Sequence, residues 1–169
     1  MKKIICLLSL FCALNVQAQK VEIAVGENWA EIPVQQTQSE LKPGWKIVDY
    51  QMKSKLTHYL SGGHATQLAD GNRPIFRVTP GENEVLVDYV LIRLKASKSY
   101  RQMFKSHLIE NNYTRLEPSA FDMTAESDAF ICQPRQPLKP GEYILACLSQ
   151  KPIGDLSDLL VFPFSVGKE

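Results

Sequence analysis

Short apolar runs alternate with Gly- and Pro-containing breaks along most of the chain. Segments 21–25, 29–34, 45–52, 56–60, 75–79, 85–95, 129–132, 142–149 and 159–166 are each rich in β-branched or aromatic residues, which suit a pleated, half-buried strand. Turn chemistry separates most of them: Lys42-Pro43-Gly44, Ser61-Gly62-Gly63, Asp70-Gly71-Asn72, Pro80-Gly81 and Lys139-Pro140-Gly141. In such turns Pro presets φ and Gly admits positive φ. Many short strands with this punctuation predict an all-β sandwich or barrel. One stretch departs from the pattern. Tyr100, Met103, Phe104 and Leu108 fall at i, i+3, i+4 and i+8, with Lys98, Arg101 and Lys105 on another face. That spacing predicts one short amphipathic helix, with an edge strand as the alternative for the same residues. Segment 35–40 reads as a polar loop.

The first residues follow a different rule. Lys2-Lys3, an apolar run through Leu14, and Val16-Gln17-Ala18 form the three parts of a secretory signal peptide cut after Ala18. The run is shorter than the roughly 20 residues a membrane-spanning helix needs, and no later segment is long and apolar enough to span. Phe11 before Cys12 is not the small residue a lipid-anchor signal requires, so no lipid is expected. The expected organisation is a leader at 1–18 and a single domain at 19–169. Losing Lys2 and Lys3 takes the chain from 19 basic and 18 acidic residues to 17 and 18. A net charge near zero argues against global attraction to nucleic acid.

The strongest local motif is Pro137-Leu138-Lys139-Pro140-Gly141-Glu142-Tyr143. A Pro-Gly turn with a Tyr just inside the next strand is the sequence form of a tyrosine corner, whose ring packs in the core while its hydroxyl bonds upstream backbone. Pro140, Gly141 and Tyr143 are therefore expected to be structural. The tetrapeptide Leu-Lys-Pro-Gly occurs at Leu41–Gly44 and again at Leu138–Gly141; the chain is too short for two sandwich domains, so both copies are read as one solution to the same turn problem.

Between residues 62 and 166 the chain resembles secreted bacterial domains with immunoglobulin-like sandwiches. The shared layout is a Gly-x-x-Ala turn (Gly62 to Ala65), an Arg-Pro-x-Phe strand start (Arg73 to Phe76) and the Pro-Leu-x-Pro-Gly-Glu-Tyr run. The resemblance covers about two thirds of the chain after the leader and consists of turns and core residues. It implies an immunoglobulin-like β-sandwich of about seven to nine strands, with room for one short helix, and no activity.

Chemistry-bearing residues are few. Cys132 and Cys147 flank the Lys139-Pro140 turn symmetrically; in an exported protein they form either a disulfide worth about 3 kcal/mol or two small buried apolar side chains. His58 and His64, with Asp70 further on, match no compact metal motif. His107 is the third histidine. No nucleophile elbow or phosphate loop is present. Arg93, Lys95, Lys98, Arg101 and Lys105 form a basic run, read either as a patch for an anionic partner or as an ordinary solvated edge. Trp29, Trp45, Tyr50 and Tyr59 would stack on sugar rings if exposed, and otherwise belong to the core.

The expectation is an exported, non-catalytic binding or accessory module of the cell envelope, periplasmic or at the cell surface. It would use no metal or other cofactor and would engage a protein or an envelope polymer. The competing expectation is a hydrolase or metal-dependent enzyme using the His58, His64 and Asp70 region.

Overall fold

The computed structural model describes residues 19–42, 46–47, 50–51, 55–103, 113–149 and 159–167. In chain order the strands are β1 (Lys20–Val25), β2 (Asn28–Glu31), β3 (Gln35–Gln36), β4 (Gln38–Lys42), β5 (Lys46–Ile47), β6 (Tyr50–Gln51), β7 (Lys55–Ser61) and β8 (Phe76–Thr79). They continue with β9 (Tyr89–Ala96), β10 (Tyr100–Met103), β11 (Thr114–Arg115), β12 (Phe121–Ala125), β13 (Phe130–Pro134), β14 (Gly141–Cys147) and β15 (Leu160–Val166). A single 3-10 turn, Leu86–Asp88, leads into β9, and the described residues contain no α-helix.

The strands form two principal antiparallel sheets. The smaller has the order β12-β13-β8-β1-β2; the larger runs β3-β15-β14-β9-β10-β7-β4, with β11 also paired to β9. The small sheet follows the two-residue period of a half-buried strand. Val21 and Ile23 on β1, and Phe76 and Val78 on β8, point inward and are fully buried, while Arg77 between them faces out over the Trp29 ring at 4.5 Å. The inward residues share a core with Tyr89 and Leu91 of β9, Tyr143 and Leu145 of β14, and Phe162 and Phe164 of β15.

Along β14, most of β15 and the first half of β9 the large sheet is buried on both faces, which explains why these strands read as apolar runs. Val90, Ile92 and Leu94 of β9, Ile144 and Ala146 of β14 and Val161 of β15 project away from the small sheet into a second core with Leu60 and Met103. Each of the Val, Ile, Leu and Met side chains removed from water contributes about 1.5–3 kcal/mol. Pro163 sits inside β15 at the position opposite Ile144. Two residues on, the Ser165 N–H donates to the Gln67 carbonyl, away from β14. By the strand period the Pro163 nitrogen faces that same outer edge, so its missing N–H breaks no bond to β14.

Two expectations need correction, and one strand, β12, was not expected. The helix expected from Tyr100 onward is strand β10 over its described part, paired on one side with β7 and on the other with β9. It is interior to the sheet, not an edge. Segment 35–40 contributes β3 and much of β4, and β4 is held by a ladder with β7 from Gln38↔Tyr59 to Lys42↔Lys55. Its polarity misled because backbone pairing, not burial, holds it. β12 has one fully buried side chain, Phe121, and so shows no apolar alternation.

Candidate functional site

One cluster of charged side chains converges inside the large sheet. Glu142 shares the strand parity of Ile144 and Ala146, so its carboxylate enters the sheet's inner face, where the residue is 4% exposed. Arg101 takes the same inward parity as Met103 on β10 and is fully buried. Its Nη1 lies 3.9 Å from Glu142 Oε2 and makes no hydrogen bond among the described residues. The rest of the guanidinium is engaged: Nε donates to the Gly62 carbonyl (3.1 Å), and Nη2 donates to the Ser61 carbonyl and to Gln35 Oε1 (2.9 Å each). Burial lowers the Arg101 pKa and the Glu142 carboxylate opposes that shift.

Glu142 is equally occupied. Its Oε2 accepts the Ala65 N–H at 2.8 Å, and its Oε1 accepts the Ser165 hydroxyl at 2.8 Å and meets His64 Nδ1 at 3.0 Å. Against a carboxylate oxygen Nδ1 is the donor. The His64 side chain is 83% exposed, lying over a concavity of about 480 Å3 that Leu68, Gly141 and Ser165 also line. The turn at residues 62–65 is thus tied to β14 by Glu142 and to β10 by Arg101. Its two glycines are required. Gly62 has φ +81°, a region costly to residues with a Cβ. A Cβ on Gly63 would lie 2.6 Å from the carbonyl oxygens of Ser97 and Lys98.

The arrangement is not a nucleophile relay. In a hydrolytic triad the histidine stands between hydroxyl and carboxylate; here the Ser165 hydroxyl and His64 both address the same Glu142 oxygen. Such an arrangement clamps a turn.

The expected site residues are dispersed. His58 is fully buried on the inner face of β7 with Nδ1 2.8 Å from Ser39 Oγ. His64 sits at the surface above Glu142. Asp70 accepts the Gly26 N–H at 3.2 Å, bracing the β1–β2 hairpin. His58, His64 and Asp70 do not meet, and among the described residues no group of three or more His, Cys, Asp or Glu could hold a metal ion. His107, Lys105 and Trp45 lie outside the described residues, and so does the Tyr50 side chain.

The basic run divides. Arg93, Lys95 and Lys98 are exposed, with Arg93 Nη2 donating to the Pro140 carbonyl at 2.7 Å. Arg101 leaves the surface patch altogether, because β10 is an interior strand and its guanidinium is needed by the 62–65 turn.

Tyr143 is 5% exposed, its hydroxyl donates to the Lys139 carbonyl at 2.7 Å, and its ring stacks on Phe164 with centroids 5.6 Å apart. Cys132 and Cys147 are both buried and both free thiols. Symmetry about the turn in sequence is not symmetry in space. Cys132 is two residues from the end of β13, whereas Cys147 is six residues beyond the start of β14. The two strands belong to different sheets and do not pair, so the turn does not bring the cysteines opposite one another on a hairpin.

The sequence reading missed Glu142, Arg101 and Ser165 as a unit. The available signal was a lone acid on the inward parity of an apolar strand, 41 positions from a lone arginine beside Met103; nothing in sequence pairs the two.

No protein-family model matches this chain, and no curated protein or solved structure matches it. Among the described residues no helix is long and apolar enough to cross a membrane.

Proposed function

We propose that this is an exported, non-catalytic binding or accessory module of the cell envelope, built on an immunoglobulin-like sandwich. The observation that carries the reading is the internal engagement of Glu142, the one buried acid among the described residues. A general acid or base must keep a proton site directed at substrate, and this carboxylate directs its oxygens at Ala65, Ser165, His64 and Arg101. The sandwich assignment is supported by the two antiparallel sheets around one core and by the Tyr143 hydroxyl bond to Lys139. Export follows from the leader pattern at 1–18, and the partner would be a protein or an envelope polymer.

A hydrolase is the second reading, moved from the His58, His64 and Asp70 region to His64 alone as an acid–base group oriented by Glu142 and without a protein nucleophile, because the 3.0 Å histidine–carboxylate contact opens onto a concavity. Chromogenic ester, phosphate and glycoside substrates, with and without divalent metals, separate the two. The module reading expects no turnover above blank in protein recovered from the envelope or secreted fraction with an intact mass starting at Gln19. Turnover abolished by His64→Ala would establish the hydrolase instead, and a mass retaining residues 1–18 would remove export.

A further inference from the structure

We propose that the outer face of β4, β7 and β10 is a glycan-binding platform, with Tyr59 and Tyr100 as its stacking rings and a neutral polysaccharide as its ligand. The proposal rests on the module reading and adds the ligand class. Strand parity builds the platform. On β7, His58 and Leu60 turn inward and are buried, so Thr57 and Tyr59 face the other way. On β10, Arg101 and Met103 turn inward, so Tyr100 and Gln102 face out. The ladders place Gln102 opposite Tyr59 and Glu40 opposite Thr57. The result is a cavity of about 230 Å3 lined by Glu40, Thr57, Tyr59, Tyr100 and Gln102.

Tyr100 is 41% exposed, and its ring centroid lies 6.2 Å from that of Tyr59 at an interplanar angle of 66°. The two rings meet at an angle and form a corner. Tyrosine presents an apolar, electron-rich face together with a polar hydroxyl, the pairing a pyranose needs, since its C–H face is apolar and its rim is hydroxylated. The rim chemistry is unoccupied: among the described residues no hydrogen bond engages the hydroxyls of Tyr59 and Tyr100, the Gln102 amide or the Glu40 carboxylate. This is the reverse of Glu142 and Arg101, whose capacity is used internally.

Charge and size narrow the ligand. The lining contains a carboxylate and no cation, with Lys95 beyond it across the ladder from Gln102, so the rings themselves favour a neutral chain over a polyanion. The cavity falls below the roughly 300–1,000 Å3 of pockets that enclose small molecules, which suits one unit of a polymer whose neighbours continue along the sheet. A Pro-rich peptide also docks on aromatic grooves, but it offers the carboxylate and amide few donors, whereas vicinal hydroxyls offer donors and acceptors together.

Affinity electrophoresis of the mature chain through gels containing laminarin, hydroxyethylcellulose or xyloglucan, with alginate as the polyanion and a Pro-rich peptide titrated separately, tests the proposal. At least one neutral polysaccharide should retard the protein. Tyr59→Ala and Tyr100→Ala should each weaken the interaction about tenfold or more, as loss of an aromatic anchor does, while Tyr100→Phe keeps most of it. Gln102→Ala, a truncation at the rim of the cavity, should weaken it without altering the circular dichroism and so guards against misfolding of the tyrosine variants. Absence of retardation by all three neutral polymers, retardation indifferent to both Ala variants, or binding confined to alginate or the peptide overturns the proposal. A chain that is exported and inert toward hydrolase substrates yet ignores glycans loses this ligand assignment alone; turnover lost with His64 removes the module reading whatever the gels show.

Discussion

Replacing Glu142 with Gln keeps the side chain's length and removes its charge, and the structure sets the cost. The carboxylate is met by three donors, the Ala65 N–H, the Ser165 hydroxyl and His64 Nδ1, at 2.8, 2.8 and 3.0 Å. An amide offers one acceptor oxygen. Turned with its NH2 toward Ala65 it leaves that N–H unmatched, costing about 1–3 kcal/mol; turned the other way its NH2 donates to the Ser165 oxygen and to His64 Nδ1 in the other tautomer, and the lost charge carries the cost. Arg101, fully buried, also loses the counter-charge 3.9 Å away. Removing one partner of a buried pair costs about 3–5 kcal/mol, and the three other bonds to the guanidinium place the expected total near the lower end, about 3–4 kcal/mol. For a domain of this size that is a fall in Tm of roughly 10 °C. Urea titration followed by tryptophan fluorescence and far-UV circular dichroism gives the value directly. The pair itself is isolated by a cycle of Glu142→Leu, Arg101→Met and the double variant, where the double should be less destabilised than the sum by about 1–3 kcal/mol. His64→Ala, at a largely exposed side chain, should stay within about 0.5 kcal/mol of wild type. A Gln variant within about 1 kcal/mol of wild type, or an additive cycle, would refute the claim that this carboxylate and guanidinium hold the 62–65 turn.

Two further expectations concern the shared core. Tyr143→Phe removes the bond to Lys139 and should cost about 1 kcal/mol, and Tyr143→Ala about 3–5 kcal/mol through the cavity beside Phe164; chemical denaturation reports both, and a neutral Ala variant would remove the corner from the account. Burial pushes the Cys132 thiol from an ordinary value of 9.0 up to about 12, and raises Cys147 as well; burial and the bond to Glu84 raise Tyr89. Groups raised in the folded state favour it fully below their unfolded pKa and lose that contribution as pH rises through the folded one, so stability should hold to about pH 9 and fall toward pH 12, Cys132 accounting for up to about 4 kcal/mol. Cys132→Ala should flatten that fall, and thiol labelling should find two reactive cysteines after unfolding and none in the native chain; a flat alkaline profile or no thiol in denaturant would contradict the structure.

Legibility in the sequence tracked burial. β14 and β15 stood out because both faces of the large sheet are covered, so Tyr143 to Cys147 and Val161 to Phe164 are apolar without interruption. β8 stood out because Phe76 and Val78 alternate with Arg77 and Thr79. β4 and β12 did not. One is mostly polar and the other buries Phe121 alone, and both are held by backbone ladders that leave no mark on composition. Tyr100 to Leu108 gave a helical spacing because a four-residue strand is too short to display its own period, and Met103 satisfies either reading. The basic run was visible as charge, but its partition was not: burying Arg101 depends on Gly62, Ser61 and Gln35 arriving from two other strands and a turn.

That burial bears on function through the strand period. Tyr100 and Arg101 are adjacent and therefore point to opposite faces of β10, one ring into the outer cavity and one guanidinium into the sheet interior. Arg101 draws in the carbonyls of Ser61 and Gly62, and Ser61 is the residue paired with Tyr100 across the ladder. The inner cluster therefore fixes the end of β7 against β10, and with it the separation of the Tyr59 and Tyr100 rings. Binding by a shallow platform of few contacts depends on the contacts being in place beforehand, because ordering side chains at the moment of association subtracts from a small total. A buried arginine and glutamate are a poor choice for stability alone, since well-packed apolar side chains would serve as well or better. Their cost becomes intelligible if the charged, directional clamp holds two strands in register beneath the glycan platform proposed above.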